Sequence, residues 1–540
     1  MRRNLERLAN ERFDLLIIGG GITGACVARD AALRGLRVAL IEKNDFAGAT
    51  SAHNSKLIHG GLRYLRNFEL GLVRESLRER RIWQRIAPHL VRPLPFMLPV
   101  PEGWQARATL SAGLTLYDVL SFDRGWLDDP DQHLPGHSFL DAKAAVAREP
   151  VLDQPHLGGA LLYYDAQMYS PERLALECLI DADANGAVIA NYVEAKSLII
   201  RDAKIEGAEV RDGAGNAEFA IQAKATLLAA GPWADIFLDH ALGKQTAHRI
   251  LRSKGIHLVV PKMTRETALT VAAKGGHFFL LPWRKHTIIG TTDTAFSGAP
   301  DTVGVSEEDI TSFLAFVNEY LPAAHLKRSD VEHFYAGLRP LVDDGSGDSY
   351  DASRRAELID HGKDDGVANL YSAIGGKWTT SRALAKSIVD TIAPRLNTTK
   401  PCVTGNAILP GGKIGHIKEF LAAQSHDHPQ LQNIDHLTRM YGARLNEMLD
   451  EAGNRPDLSL ALSDTGDIGA QILFAIRHEM ALMLDDVVTR RTGLGQLGLP
   501  NAAVLSRAAD IMSTELGWSA ERRAREIETV SHSFATRGGQ

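Results

Sequence analysis

Gly19, Gly21, Gly24 and Glu42 are the residues of this 540-residue chain whose types and spacing point most directly to chemistry. The glycines follow DLLII (14–18), a short apolar run that reads as a buried parallel strand. ACVARDAALRG comes next, with small and apolar residues at helical spacing, and then RVALIEK (37–43), a second strand that ends in Glu42. Each residue has a physical task. Gly19 allows a tight turn, Gly21 lets backbone N–H groups approach a pyrophosphate, and Gly24 lets the helix pack closely on the sheet. The helix N-terminus attracts phosphate charge. Glu42 lies eighteen residues beyond Gly24, about where an acid accepts hydrogen bonds from a ribose diol. Strand, glycine turn, helix, strand and acid in this order predict dinucleotide binding.

The residues after Glu42 favour FAD. KNDFAGATSAHNSKLIHGGLRYL (43–65) does not continue as another βα unit. It supplies a small-residue stretch in which Thr50, Ser51 and Ser55 can bond phosphate or flavin edges, then a helix-like segment carrying His59, Arg63 and Tyr64.

Eight segments in order resemble the FAD-dependent glycerol-3-phosphate dehydrogenases of the aerobic, respiratory type. They are GGGITGA (19–25), SKLIHGGLRYL (55–65), AAGPWAD (229–235), KGIHLVVP (254–261), IIGTTD (288–293), YAGLRPL (335–341), SRRAELI (353–359) with GGKWTTSRALA (375–385), and RHEMALMLDDVVTRRTGLG (477–495). Leu228, Ile256, Arg355 and Ala356 depart from the family pattern; such changes bear on the substrate pocket and leave the flavin framework alone.

The resemblance implies oxidation of sn-glycerol 3-phosphate to dihydroxyacetone phosphate, with hydride passing to flavin N5 and electrons going on to a quinone. The hydroxyl proton needs a base with a pKa near working pH, usually histidine. His257 is the first candidate and His59, on its glycine-flanked segment, the rival. A phosphate needs fixed cations, and the planar guanidinium forks of Arg63, Arg339 and Arg354 suit it. Tyr64 and Lys377 join them in the substrate group. Gly231 marks a second flavin-contacting turn. In GGKWTT (375–380), Gly376 and Thr379 face the flavin, Lys377 touches flavin or substrate, and Thr379 and Thr380 are candidate helix caps. The implied partners are a phosphorylated polyol, a quinone and a membrane surface; a homodimer is left open. Another polyol phosphate such as erythritol phosphate, oxygen as acceptor, and a non-catalytic flavin-binding redox sensor are the alternatives. His257, Arg339, Arg354 and Lys377 together argue against the last.

These residues need an α/β scaffold. The expected fold class is a Rossmann-like FAD-binding domain with an antiparallel-sheet substrate domain and a C-terminal helical cap. The FAD-binding domain is read as discontinuous, at 12–95, 155–235 and 335–395. HLVVP, HFFLLPW and HTIIGTTD suggest the antiparallel sheet within 96–154 and 236–334. Amphipathic patterning from about 400 to 535 suggests the helical cap. Composition agrees, with 44% apolar and 23% charged residues. The 60 Lys and Arg against 66 Asp and Glu leave a net charge of −6, so nucleic acid is not an expected partner. Cys26, Cys178 and Cys402 form no CxxC pair, which excludes a disulfide scaffold or zinc ribbon. His478-Glu479 lacks a second His at i+4, His426-Asp427-His428 sits in a polar, Pro429-containing stretch that reads as a solvated loop, and no metal is expected.

No apolar stretch reaches the length of a membrane-spanning helix, and the charged N-terminus does not read as a signal peptide. The expected location is cytoplasmic, peripheral on the inner face of the cytoplasmic membrane. The segment 68–100 is the expected docking patch, with Arg74, Arg78, Arg80, Arg81, Arg85 and Arg92 interleaved with Ile82, Trp83, Ile86 and Leu90.

Overall fold

The computed structural model describes residues 1–342, apart from Gly275, and 356–537. Two sheets face one another across a large cavity, and a helical unit closes one side. In the first sheet Arg12–Ile18 lies between Val38–Ile41 and Glu218–Leu228, parallel to both. Val188–Ala190 and Leu370–Ile374 extend it in parallel, and Glu357–Asp360 adds an antiparallel edge. The strands Arg12–Ile18 and Val38–Ile41 are apolar runs buried on both faces, as a helix-covered parallel sheet requires.

The helix Ile22–Leu33 has no polar stripe because it has no solvent face. Its alanines let Pro171–Ala184 and Ser381–Ile392 pack on either side of it, and the three form the core on one face of the sheet. A second core fills the other face.

The second sheet is mixed. As expected, Ile250–Pro261, Gly276–Trp283 and His286–Gly290 run antiparallel. Ala268–Ala273 joins Val91–Pro101 in parallel, and Val91–Pro101 pairs antiparallel with Leu157–Met168. His333–Val342 lies on the other side of Ile250–Pro261. Thus Leu157–Met168 and all of His333–Val342 but its first two residues, read from sequence as parts of the nucleotide domain, are strands of this sheet. The C-terminal helices from Ile417–Asp427 to Ala520–Arg537 have a core of their own.

The fold buries most of the apolar residues of the docking patch expected at 68–100. Leu70–Ile86 is an amphipathic helix that packs inward, and Ile82, Trp83, Ile86 and Leu90 are all buried. Most of its arginines are engaged by the protein: Arg80 with Asp165 at 2.5 Å, Arg74 and Arg81 with Asp123 at 2.8 and 3.2 Å, and Arg85 with Asn406 at 3.0 Å, while Arg78, 3.6 Å from Glu79, stays half exposed. Arg92 lies on the strand and donates to Gln167. At its start Phe68 is exposed and Leu70 partly so, while the rest of its apolar side chains face inward.

Candidate active site

A cavity of about 1300 Å³ lies between the sheets, and nearly all the predicted site residues line it. At one end the glycine turn follows Arg12–Ile18. Gly19 has φ +118°, and a Cβ there would stand 2.5 Å from the Ala229 carbonyl oxygen, so only glycine fits. Gly24 lies under the turn and does not line the cavity; a Cβ on it would collide with the Gly19 carbonyl oxygen. Ser51 Oγ accepts from Ile22 N at 2.9 Å, which seats the small-residue stretch over the helix N-terminus. Glu42 accepts from Gly20 N at 2.7 Å and Asn44 N at 2.9 Å. Each carboxylate oxygen keeps a second acceptor site for a diol.

The segments 50–61 and 375–380 are stitched together along the cavity. Trp378 Nε1 donates to Ser51 O at 3.1 Å, Trp83 Nε1 to Thr379 O at 3.0 Å, and His59 N to Thr379 Oγ1 at 3.2 Å. The expected capping role is therefore corrected. Thr380 occupies the N-cap of Ser381–Ile392 without a side-chain cap bond, and the Thr379 hydroxyl is taken by His59 N. Gly231 (φ +52°) and Gly376 (φ +99°) both adopt left-handed backbone at the cavity wall. Thr50 lies there too, donating to Leu338 O at 2.6 Å.

His257 sits at the centre of the second sheet, in register with Gly290 on one neighbouring strand and Tyr335 on the other. A Cβ at Gly290 would collide with the imidazole. The Tyr335 ring stacks on it, with centroids 4.9 Å apart and planes 15° apart. Nε2 is 2.8 Å from Ser55 Oγ, while Nδ1 is buried with no hydrogen-bond partner among the described residues. Burial, then the charges of Arg339 and Lys56, push the imidazole pKa well below its ordinary 6.5. His257 is therefore neutral at pH 7 and able to accept a proton.

Two cationic groups line the same cavity as this base. Arg339 donates to Ser253 Oγ at 3.0 Å, Thr291 Oγ1 at 2.8 Å and Thr292 O at 3.1 Å. Gly255 makes room for it, since a Cβ there would collide with the guanidinium. Also on the lining, the Tyr64 ring has Lys377 Nζ 3.6 Å from its centroid and the Arg63 guanidinium 4.9 Å away. Arg354 and Arg355 lie outside the described residues. The departures Leu228 and Ile256 are buried in apolar cores, Ile256 on the face of its strand opposite His257. Neither reaches the cavity lining.

Sequence reasoning missed Lys56, Tyr335 and Gly255. Lys56 is buried, 3.3 Å from Glu172, with Nζ over the Trp283 and Tyr335 rings. A lysine next to the candidate Ser55 was the available signal. Tyr335 and Gly255 stand inside quoted motifs, but only strand register brings them to the base.

Residues 14–391 match the family described as FAD dependent oxidoreductase, and residues 402–523 match the C-terminal domain of alpha-glycerophosphate oxidase. The glycerol-3-phosphate dehydrogenase of Synechocystis sp. is 36% identical over 97% of this chain and 97% of its own. The chain belongs to the FAD-dependent glycerol-3-phosphate dehydrogenase family. A member from Mycobacterium leprae is 35% identical over 97% of this chain and 88% of its own. The structure of a family member from Bacillus halodurans, complexed with FAD, superposes with TM-score 0.77 at 27% identity, covering 98% of this chain and 96% of that one. The FAD-bound L-alpha-glycerophosphate oxidase of Mycoplasma pneumoniae shares the fold alone, with TM-score 0.54 and 18% identity. It covers 74% of this chain and 99% of its own.

The cofactor is FAD, and the site fits it. The glycine cradle and the helix N-terminus suit its pyrophosphate, Glu42 its ribose, and the walls at 50–61 and 375–379 its ring system. Among the described residues no group of three or more His, Cys, Asp or Glu could hold a metal.

Proposed function

We propose that the protein oxidises sn-glycerol 3-phosphate to dihydroxyacetone phosphate and passes the electrons to a quinone. The observation that carries this reading is a neutral, water-excluded imidazole that lines, together with Arg339, Arg63 and Lys377, the cavity that suits FAD. When bound, FAD supplies the hydride acceptor at N5. The chain's own residues do the rest. Arg339, fixed by Ser253 and Thr291, and Arg63 with Lys377 are the phosphate-binding cations; Arg354 is a further one by family resemblance. The substrate hydroxyl proton passes to His257 Nε2, with Ser55 Oγ already in hydrogen-bond contact at 2.8 Å. Tyr335 and Gly290 hold the ring in place from either side. The flavin domain follows the first sheet and the substrate domain the second.

Quinone reduction at a bilayer is supported by a different surface from the one expected. Among the described residues no helix is long and apolar enough to cross a membrane. The helix Trp104–Leu120 buries only Leu114 and Tyr117. Trp104 and Val119, with nearby Phe122 and Trp126, are each more than half exposed. Thr109, Leu110 and Gly113 of the same helix line the cavity. Tryptophan and aliphatic side chains of this kind partition to the headgroup region, so one helix offers both a lipid-facing surface and a route inward for an apolar acceptor.

Anaerobic addition of polyol phosphates to the yellow protein tests the reading. sn-Glycerol 3-phosphate should bleach the flavin and a soluble quinone should restore its colour. Bleaching by another polyol phosphate and not by this one would refute it.

A further inference from the structure

The cavity continues past Glu42, and its far end is built by two parts of the chain that are distant in sequence. One wall comes from Asn44, Asp45 and Val193; the other comes from Asp485 and Arg490 of the C-terminal helical unit. Arg490 lies in Val487–Arg491, a stretch of π-helix. Its guanidinium donates to Asp45 Oδ2 at 2.6 Å, Asp485 Oδ2 at 2.9 Å and Asp486 Oδ1 at 2.9 Å. Arg491 grips both oxygens of Asp45 at 2.8 Å. Asn191 bridges Asp45 to Met480 O, and the Tyr192 hydroxyl donates to Asp486 at 2.5 Å. The turn leaving Glu42 is thus held by the C-terminal unit through a buried array of ions.

Such an array is a poor way to gain stability, because desolvating several charges offsets most of their attraction. It is a good way to fix geometry. The geometry fixed here is that of the turn carrying the ribose acid and of the space just beyond it. A dinucleotide whose pyrophosphate lies at the glycine turn and whose ribose lies at Glu42 has its purine in that space.

We propose that Arg490 and Asp485 complete the adenosine end of the FAD site, so that docking of the C-terminal unit and retention of FAD are thermodynamically linked. Asp485 supplies a carboxylate acceptor suited to a purine amino group. Arg490 is a positioning residue that holds Asp45 and, through it, the turn after Glu42. By linkage, FAD must stabilise the docked unit as much as the docked unit stabilises bound FAD.

The test uses the full-length holoenzyme and does not depend on turnover. FAD release after dilution is followed by the fluorescence of free flavin in wild type, Arg490→Met, Asp485→Asn and Arg173→Met. The last breaks a buried pair with Glu479 outside the cavity lining and controls for general damage to the interface. Release should be at least tenfold faster in Arg490→Met and severalfold faster in Asp485→Asn, with the bound-flavin absorption bands unchanged in both. Hydrogen exchange at 479–492 should be slower in the holoenzyme than in FAD-stripped full-length protein. Equal acceleration in Arg173→Met, or release within twofold of wild type in both cavity variants, would overturn the proposal. Should Arg490→Met fail to fold, Asp485→Asn and the exchange experiment decide, and exchange unaffected by FAD would overturn it.

Discussion

Arg339 tests whether phosphate recognition resides in one guanidinium. Arg339→Ala removes charge-assisted hydrogen bonds to the substrate, and such a loss costs on the order of 2–4 kcal/mol in the transition state. Steady-state kinetics should show kcat/KM for sn-glycerol 3-phosphate falling roughly 30- to 1000-fold. Unphosphorylated glycerol, a poor substrate for both forms, should be little affected. An equal loss for both substrates would place Arg339 in folding or flavin binding. His257 makes a second prediction. His257→Ala should keep FAD and slow its reduction about 10²–10⁴-fold. Because burial and the neighbouring cations hold the imidazole well below 6.5, protonation inactivates the base only well below that pH, and the wild-type acid limb of kcat/KM should lie there. Lys56→Met removes one of those cations, so the acid limb should move upward, and Lys56→Arg should restore it. An acid limb that stays in place in Lys56→Met would show that the lysine does not act on the base.

The helices show how far an amphipathic pattern alone can mislead. Leu70–Ile86 and Trp104–Leu120 both carry apolar residues at helical spacing. The first turns its apolar face to the protein core and gives Arg74, Arg80 and Arg81 to buried carboxylates. The second leaves apolar side chains outside. Replacing Trp104 and Val119 with Asp should therefore abolish sedimentation with liposomes, while Arg78→Glu should have little effect. Activity with a soluble dye should persist in both variants, since none of the three residues lines the cavity. Liposome binding that survives the double replacement would remove this helix from the membrane contact.

The whole chain is one assembly in which a C-terminal unit with its own core is fastened to the nucleotide fold by buried charge. Burial alone would raise the Asp45 carboxyl, but Arg491 and Arg490 outweigh it and hold the pKa below the ordinary 3.8. A carboxyl depressed in the folded state contributes stability above its unfolded pKa and loses it as pH falls below that value. Asp45→Asn leaves two buried guanidinium groups short of their partner and should cost about 3–5 kcal/mol at pH 7. In urea titrations the gap between the two proteins should narrow as pH drops below 3.8. A gap that widens would contradict the assignment. The bound FAD should be non-covalent. Acid precipitation should release all of it, and re-adding FAD at about 100 times its Kd should restore about 2.7 kcal/mol of stability. Colour that stays in the pellet would refute this.

Much of the nucleotide end was legible in the amino acids alone, because local sterics set it. Gly19, Gly24 and Glu42 lie in one continuous strand–turn–helix–strand unit, and each acts on backbone within a few residues or one strand away. His257, Arg339 and Lys377 were legible as motif residues. Their company was not, because it comes from contacts between distant segments. Tyr335 reaches His257 through strand register, Ser55 through the packing of the two sheets, and Lys56 by burial beneath Tyr335. The side of an amphipathic helix that meets solvent is likewise chosen by the neighbour that covers the other side. The ends of the second sheet were misplaced for a related reason: the strands of 157–168 and 333–342 carry no local mark of which sheet they join. Chain chemistry decided that a dinucleotide binds at the first turn. Only the tertiary structure decided which residues face the base, which helix offers itself to lipid, and that residues beyond 480 wall the far end of the same cavity, because those outcomes depend on which surfaces exclude water from one another.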